Sequence, residues 1–71
     1  MSLPLLSWRE VVEALSKRFQ TRKTERSHIF MEDDVGHSTV VPRHKEIRRS
    51  TLLKIIAEAG LAKEEFLELL R

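Results

Sequence analysis

Two short alternating runs on either side of a turn constrain this chain more than any other feature. From Ser27 to Glu32, Ile29 and Met31 point one way while His28 and Phe30 point the other, the two-residue period of an extended strand. Asp33, Asp34, Val35 and Gly36 follow with turn chemistry, Gly36 being free to take a positive φ. Ser38 to Pro42 is again β-branched and strand-like, stopped by the proline. Such runs around a glycine-containing turn predict a β-hairpin. A loop over 33–37 pairs Glu32 with Ser38 and His28 with Pro42. Cross-strand partners share a face, so Ile29, Met31, Thr39 and Val41 face the core and His28, Phe30 and Val40 share the open side. A one-residue slip would exchange the two sets.

The rest of the chain must cover the apolar side of that hairpin. Ser7 with Glu10 makes a capping box, and Leu6 with Val11 stands at the spacing of a hydrophobic staple. Trp8, Val11, Val12, Leu15 and Phe19 recur at helical spacing, predicting a helix over 8–18 with Trp8 as part of its core stripe. A short polar strand is expected over 19–24. A basic connector over 43–49 leads to a second helix over 50–59, with Leu52, Leu53, Ile55 and Ile56 buried and Gly60 as its stop. Leu61 and Phe66 flank the start of a third helix over 63–70, whose Glu64 and Glu65 suit a positive N-terminal end. The expected fold is α+β, in the order α-β-β-β-α-α, with a three-stranded antiparallel sheet and helices packed on one face.

Length bears on this plan. Seventy-one residues make one small domain, spanning 1–71, near the size where a core only just sustains folding. With 41% hydrophobic residues the chain can still form that core, although Leu, Ile and Val must carry most of it because aromatic residues are few. The absence of cysteine excludes disulfides and thiolate metal sites. The apolar clusters over 3–6 and 52–56 are too short to span a bilayer, and the N-terminus has no signal-peptide pattern, so a cytoplasmic protein with no membrane partner is expected.

Charge is uneven. Residues 17–49 hold nine cations against five anions, whereas the segments on either side each carry one excess negative charge. A basic centre suits an anionic polymer, and it equally describes a solvated charged face.

Several chemistries are disfavoured by pattern. His28 and His37 stand roughly 15 Å apart at strand rise, and no His-Glu-x-x-His pair exists, so no metal site is expected from the three histidines. Nothing resembles a nucleophile elbow, and so small a chain offers no deep pocket for a Ser-His-Asp hydrolase. Cleavage of RNA needs less. The 2′-hydroxyl is the nucleophile, so the protein supplies a proton acceptor or donor and cations for the developing charge. Histidine can take either proton role near neutral pH. Arg22, Lys23 and Arg26 precede His28, Ser27 can hydrogen-bond a phosphate, and the hairpin register returns Pro42 to His44 beside it. Arg43, Lys45, Arg48 and Arg49 extend a basic rim. By pattern alone His28 is also readable as an ordinary half-exposed strand residue.

These residues carry a resemblance. Ser27-His28, then Val41-Pro42-Arg43-His44, then Arg49-Ser50-Thr51-Leu52, Ile55-Ile56 and Ala59-Gly60-Leu61, closing with Glu64-Glu65-Phe66, resemble the HicA (YcfA-like) toxin family over nearly the whole chain. That family shows Gly-Ser-His, Val-Pro-x-His, Gly-Thr-Leu, an Ala-Gly-Leu helix end and a Glu-Glu-Phe turn in the same order. The resemblance implies a double-stranded-RNA-binding-like fold and a toxin of a toxin–antitoxin pair. Such a toxin is a metal-independent endoribonuclease that cuts mRNA and is blocked by a HicB-like antitoxin. It puts the catalytic histidine on His28, and His44 matches a motif residue to which the resemblance gives no role. With no small-molecule cofactor expected, the basic residues around His28 supply the RNA-binding candidates: Arg22, Lys23, Arg26, Ser27, Arg43, Lys45, Arg48 and Arg49, with His44 second to them. Two positions depart from the pattern. Arg26 replaces a glycine, at a cost of about 1 kcal/mol if a positive φ is needed there, and otherwise as an added phosphate contact. Ser50 replaces another glycine, as an expected helix N-cap. Two rival functions remain open: a non-catalytic RNA-binding module of the same fold, and a protein-interaction domain using Phe30 and Val40.

Overall fold

The structure, a computed structural model, describes residues 3–71; the first two residues of the expected 1–71 domain lie outside the described residues. The elements run α1 (Trp8–Leu15), β1 (Gln20–Thr24), β2 (His28–Glu32), β3 (Ser38–Pro42), α2 (Arg49–Glu58) and α3 (Lys63–Leu69). The strands form one antiparallel sheet in the order β1-β2-β3, so the expected α+β architecture is the one observed.

The hairpin register is as expected, with His28 opposite Pro42 and Glu32 opposite Ser38. Its turn is built around Asp33, whose Oδ1 accepts from the backbone N–H groups of Val35 (3.1 Å) and His37 (2.7 Å), while Gly36 takes φ +99°. Ile29, Met31, Thr39 and Val41 are all buried. They pack with Val11, Leu15 and Phe19, with Leu52, Ile55 and Ile56, and with Phe66 in a single core. The only polar member among the described residues, Thr39, is satisfied by donating its hydroxyl to Glu58 Oε1 at 2.9 Å. β1 is exposed along its whole length. It is one of the two edge strands of the sheet and carries a bulge between Thr21 and Lys23, which blunts that edge against further pairing.

α1 opens on the expected capping box: Ser7 N–H donates to Glu10 Oε1 (3.0 Å) and Glu10 N–H to Ser7 Oγ (3.3 Å). It ends three residues earlier than the periodicity predicts. The Ser16 hydroxyl bonds the Val12 carbonyl at 2.6 Å, and Lys17 and Arg18 reach back three residues, to Ala14 and Leu15. The last turn tightens there, and the chain leaves for β1 with Phe19 still in the core.

α2 differs from expectation twice. Its N-cap is Arg48, extended at φ −62° and ψ 148° and with no side-chain capping bond; Ser50 lies inside the first turn. Leu53 is 41% exposed rather than buried. At 100° per residue, Leu52, Ile55, Ile56 and Ala59 fall within one stripe, and Leu53 points about 100° away from it. The connector also holds a core residue: Ile47 is buried and pairs with Leu6, donating its N–H to the Leu6 carbonyl at 2.7 Å. α2 stops at Gly60, φ +71°. α3 follows, with Ala62 N–H held by Glu65 Oε1 at 2.8 Å and Phe66 fully buried.

Candidate nucleic-acid interface

His28 begins β2 on the sheet face turned away from the core, and it is exposed. The backbone around it is fixed from both sides. Glu25 N–H donates to the His28 carbonyl at 2.8 Å, and Arg43 N–H donates to the Ser27 carbonyl at 2.8 Å. Among the described residues none hydrogen-bonds the imidazole, so the ring stands on a rigid base with both nitrogens available to a ligand.

The cations assigned to this region from sequence occupy three situations. Arg43 is the most constrained: its guanidinium lies 4.6 Å from the centre of the Trp8 ring, and Nη1 reaches the Glu25 carbonyl at 3.5 Å. Trp8 is therefore only half buried and is more than a core residue. Its indole supports Arg43, with Arg9 at 5.2 Å from the ring, and its backbone N–H is tied to the His44 carbonyl at 3.0 Å. On β1, Lys23 pairs with Glu25 at 3.0 Å and Arg22, within the bulge, approaches Glu32 at 3.9 Å. These exposed pairs are worth at most about 1 kcal/mol, so a phosphate can displace either carboxylate. Arg26, Lys45, Arg48 and Arg49 are exposed around the same end of the sheet and the start of α2. Arg26 has no positive φ, since none of the described non-glycine residues does; the glycine of the family pattern is not required here, and Arg26 carries no backbone strain.

Sequence reasoning missed the second wall of the site. His28, Val40 and Pro42 line one side of an open groove of about 240 Å³, and Thr51, Lys54, Ile55 and Glu58 of α2 line the other. A smaller groove of about 210 Å³ continues from it past Val40 and Glu58 to Phe30 and Arg22. Thr51 belongs to the Arg49-Ser50-Thr51-Leu52 motif, and Thr51, Lys54 and Glu58 have the spacing of one helix flank. Nothing in that spacing says which flank meets the sheet.

His37 lies at the other end of the hairpin, with its Nδ1 2.9 Å from Asp33 Oδ2. Burial acts to raise the Asp33 carboxyl; hydrogen bonds from the His37 ring and from the backbone of His37 and Val35 outweigh it and hold the group below its ordinary value. Among the described residues no three His, Asp or Glu side chains gather as a possible metal-ligand group, and no helix is long and apolar enough to cross a membrane.

A family model describing the HicA toxin of bacterial toxin–antitoxin pairs matches residues 8–61. The chain belongs to the HicA toxin family. Comparison with curated proteins gives no match. The matched stretch runs from α1 through the Gly60 stop of α2, and so contains the hairpin, the connector and both walls of the His28 groove; α3 lies beyond it. In this HicA toxin the groove therefore belongs to the part of the chain that defines the family.

Proposed function

We propose that this HicA toxin is an endoribonuclease that cuts mRNA in the cytoplasm without a metal ion, acting as one domain over 1–71 and held inactive by a HicB-like antitoxin. The observation that carries the reading is the exposed His28 imidazole on a fixed backbone, in a groove, at the basic end of the sheet. In the reaction the 2′-hydroxyl oxygen bonds to phosphorus as the bond to the 5′ oxygen breaks, leaving a 2′,3′-cyclic phosphate and a 5′-hydroxyl end. His28 takes the proton from the 2′-hydroxyl, or in its protonated form gives one to the departing oxygen; water completes the other transfer. Arg43, held against Trp8, faces the phosphate as a pre-set cation. Arg22, Lys23, Arg26, Ser27, His44, Lys45, Arg48 and Arg49 hold the strand on either side, giving salt-dependent affinity.

The test is to express the wild type and His28→Ala separately and follow growth and RNA integrity, with and without chelator and with and without the antitoxin. New 5′-hydroxyl ends are expected from the wild type only, and they persist in chelator. Equal cleavage by both proteins overturns the role of His28; loss on chelation overturns metal independence. A non-catalytic RNA-binding module is the second reading, favoured by the absence of a described residue orienting the ring. It yields salt-sensitive binding and intact RNA.

A further inference from the structure

The α2 wall of the His28 groove holds a cation to which no role has been given. Lys54 lines the groove beside Thr51, across from His28 and Pro42. Among the described residues no carboxylate lies within ion-pair distance of its ammonium, whereas Arg22 and Lys23 each have a glutamate partner. The one acid in the groove, Glu58, is turned to the far end, where its Oε1 accepts the Thr39 hydroxyl. That bond anchors the end of α2 beside the start of β3, and the helix runs back along the strand. Thr51 lies two helical turns from Glu58, roughly 10 Å along the axis, towards Pro42 and its partner His28. Lys54 stands between the two, one turn from each and about 6 Å along the axis from Glu58, whose carboxylate is engaged by Thr39 rather than by the ammonium. Val40, Pro42 and Ile55 form the apolar floor of the groove, and Lys54 is exposed at its rim.

We propose that His28, Thr51 and Lys54 together form a seat for one backbone phosphate of a single-stranded nucleic acid, with the Lys54 ammonium facing the phosphoryl oxygens and the Thr51 hydroxyl donating to one of them. For its chemistry this rests on the ribonuclease reading: the phosphate seated here is the one cleaved, and Lys54 meets the charge that grows on its oxygens as the 2′ oxygen attacks. As a compact charge on a flexible stem, Lys54 follows the phosphate as it changes shape.

Two measurements on the full chain test the seat. The first is cleavage of single-stranded RNA at saturating substrate by the wild type, Lys54→Ala and Lys54→Arg. Alanine suits an exposed helix position, so the fold is retained. A rate loss of about a hundredfold is expected for Lys54→Ala, with most of it restored by Lys54→Arg. The second is the salt dependence of binding to a 2′-O-methyl strand, which lacks the attacking hydroxyl and stays whole. Loss of one phosphate contact lowers the slope of log affinity against log salt by about 0.7. An unchanged slope overturns the seat whatever cleavage does, and active Lys54→Ala with an unchanged slope leaves the ribonuclease reading intact. A lowered slope with RNA left whole by the wild type keeps the seat and refutes the ribonuclease reading. A wild type that neither binds the strand nor cleaves RNA overturns both.

Discussion

Replacing Gly60 with alanine tests how the hairpin turn and the end of α2 lock together. Gly60 has φ +71°, and a Cβ built there would run into the imidazole of His37. The left-handed backbone costs an alanine about 1 kcal/mol. Displacing the ring adds an overpacking cost, for which about 1–3 kcal/mol is typical. The lower end applies because His37 is half exposed and can swing outward. The sum is about 2 kcal/mol, which for a domain of this size lowers the thermal midpoint by roughly 8–16 °C. The assay is thermal or urea unfolding of Gly60→Ala, His37→Ala and the double variant. With His37 already truncated, Gly60→Ala should cost only the backbone part, about 1 kcal/mol. Equal losses in the two backgrounds would refute the steric contact between turn and helix end. A loss of only a few tenths in both would refute the left-handed requirement itself.

The acid limb of stability should depend on Asp33. Its folded carboxyl is held below the ordinary value of 3.8, so its contribution is complete above that value and is lost as the pH falls through the lower folded one. Thermal midpoints of the wild type and Asp33→Asn should therefore converge in acid, and a gap that widens there would contradict the assignment. Restoring the family glycine with Arg26→Gly should not relieve strain. It should destabilise by about 0.5 kcal/mol through the greater freedom of the unfolded chain, and weaken RNA binding with a smaller salt slope. A gain in stability would show that position 26 prefers the glycine.

The hairpin was legible because its determinants are local. A period of two, an Asp-rich turn with Gly36 and a terminal proline favour the register in which Ile29, Met31, Thr39 and Val41 share a face, and that register is observed. The same holds for the α1 start, where Ser7 and Glu10 are three residues apart and need no third element. Misjudged positions depended on residues distant in sequence or on cap geometry. Leu53 is as apolar as Leu52, yet only Leu52 points at the sheet. Ile47 sits in a basic connector and is core because Leu6 pairs with it. Ser50 was the better capping side chain, but the chain turns into the helix two residues earlier, at Arg48.

The site divides along the same line. By itself the sequence determined that His28 opens a strand beside Ser27, that the next strand returns at Pro42 opposite it, and that cations crowd that end, because strand period and hairpin closure act over a few residues. Only the tertiary structure decided that Trp8 would carry Arg43 and that α2 would turn Thr51 and Lys54, rather than Leu53, towards His28. Those choices are set by how Leu52, Ile55 and Ile56 seat in a core shared with β2, β3 and α3. The rotation of a helix about its own axis is fixed by the surface it packs on.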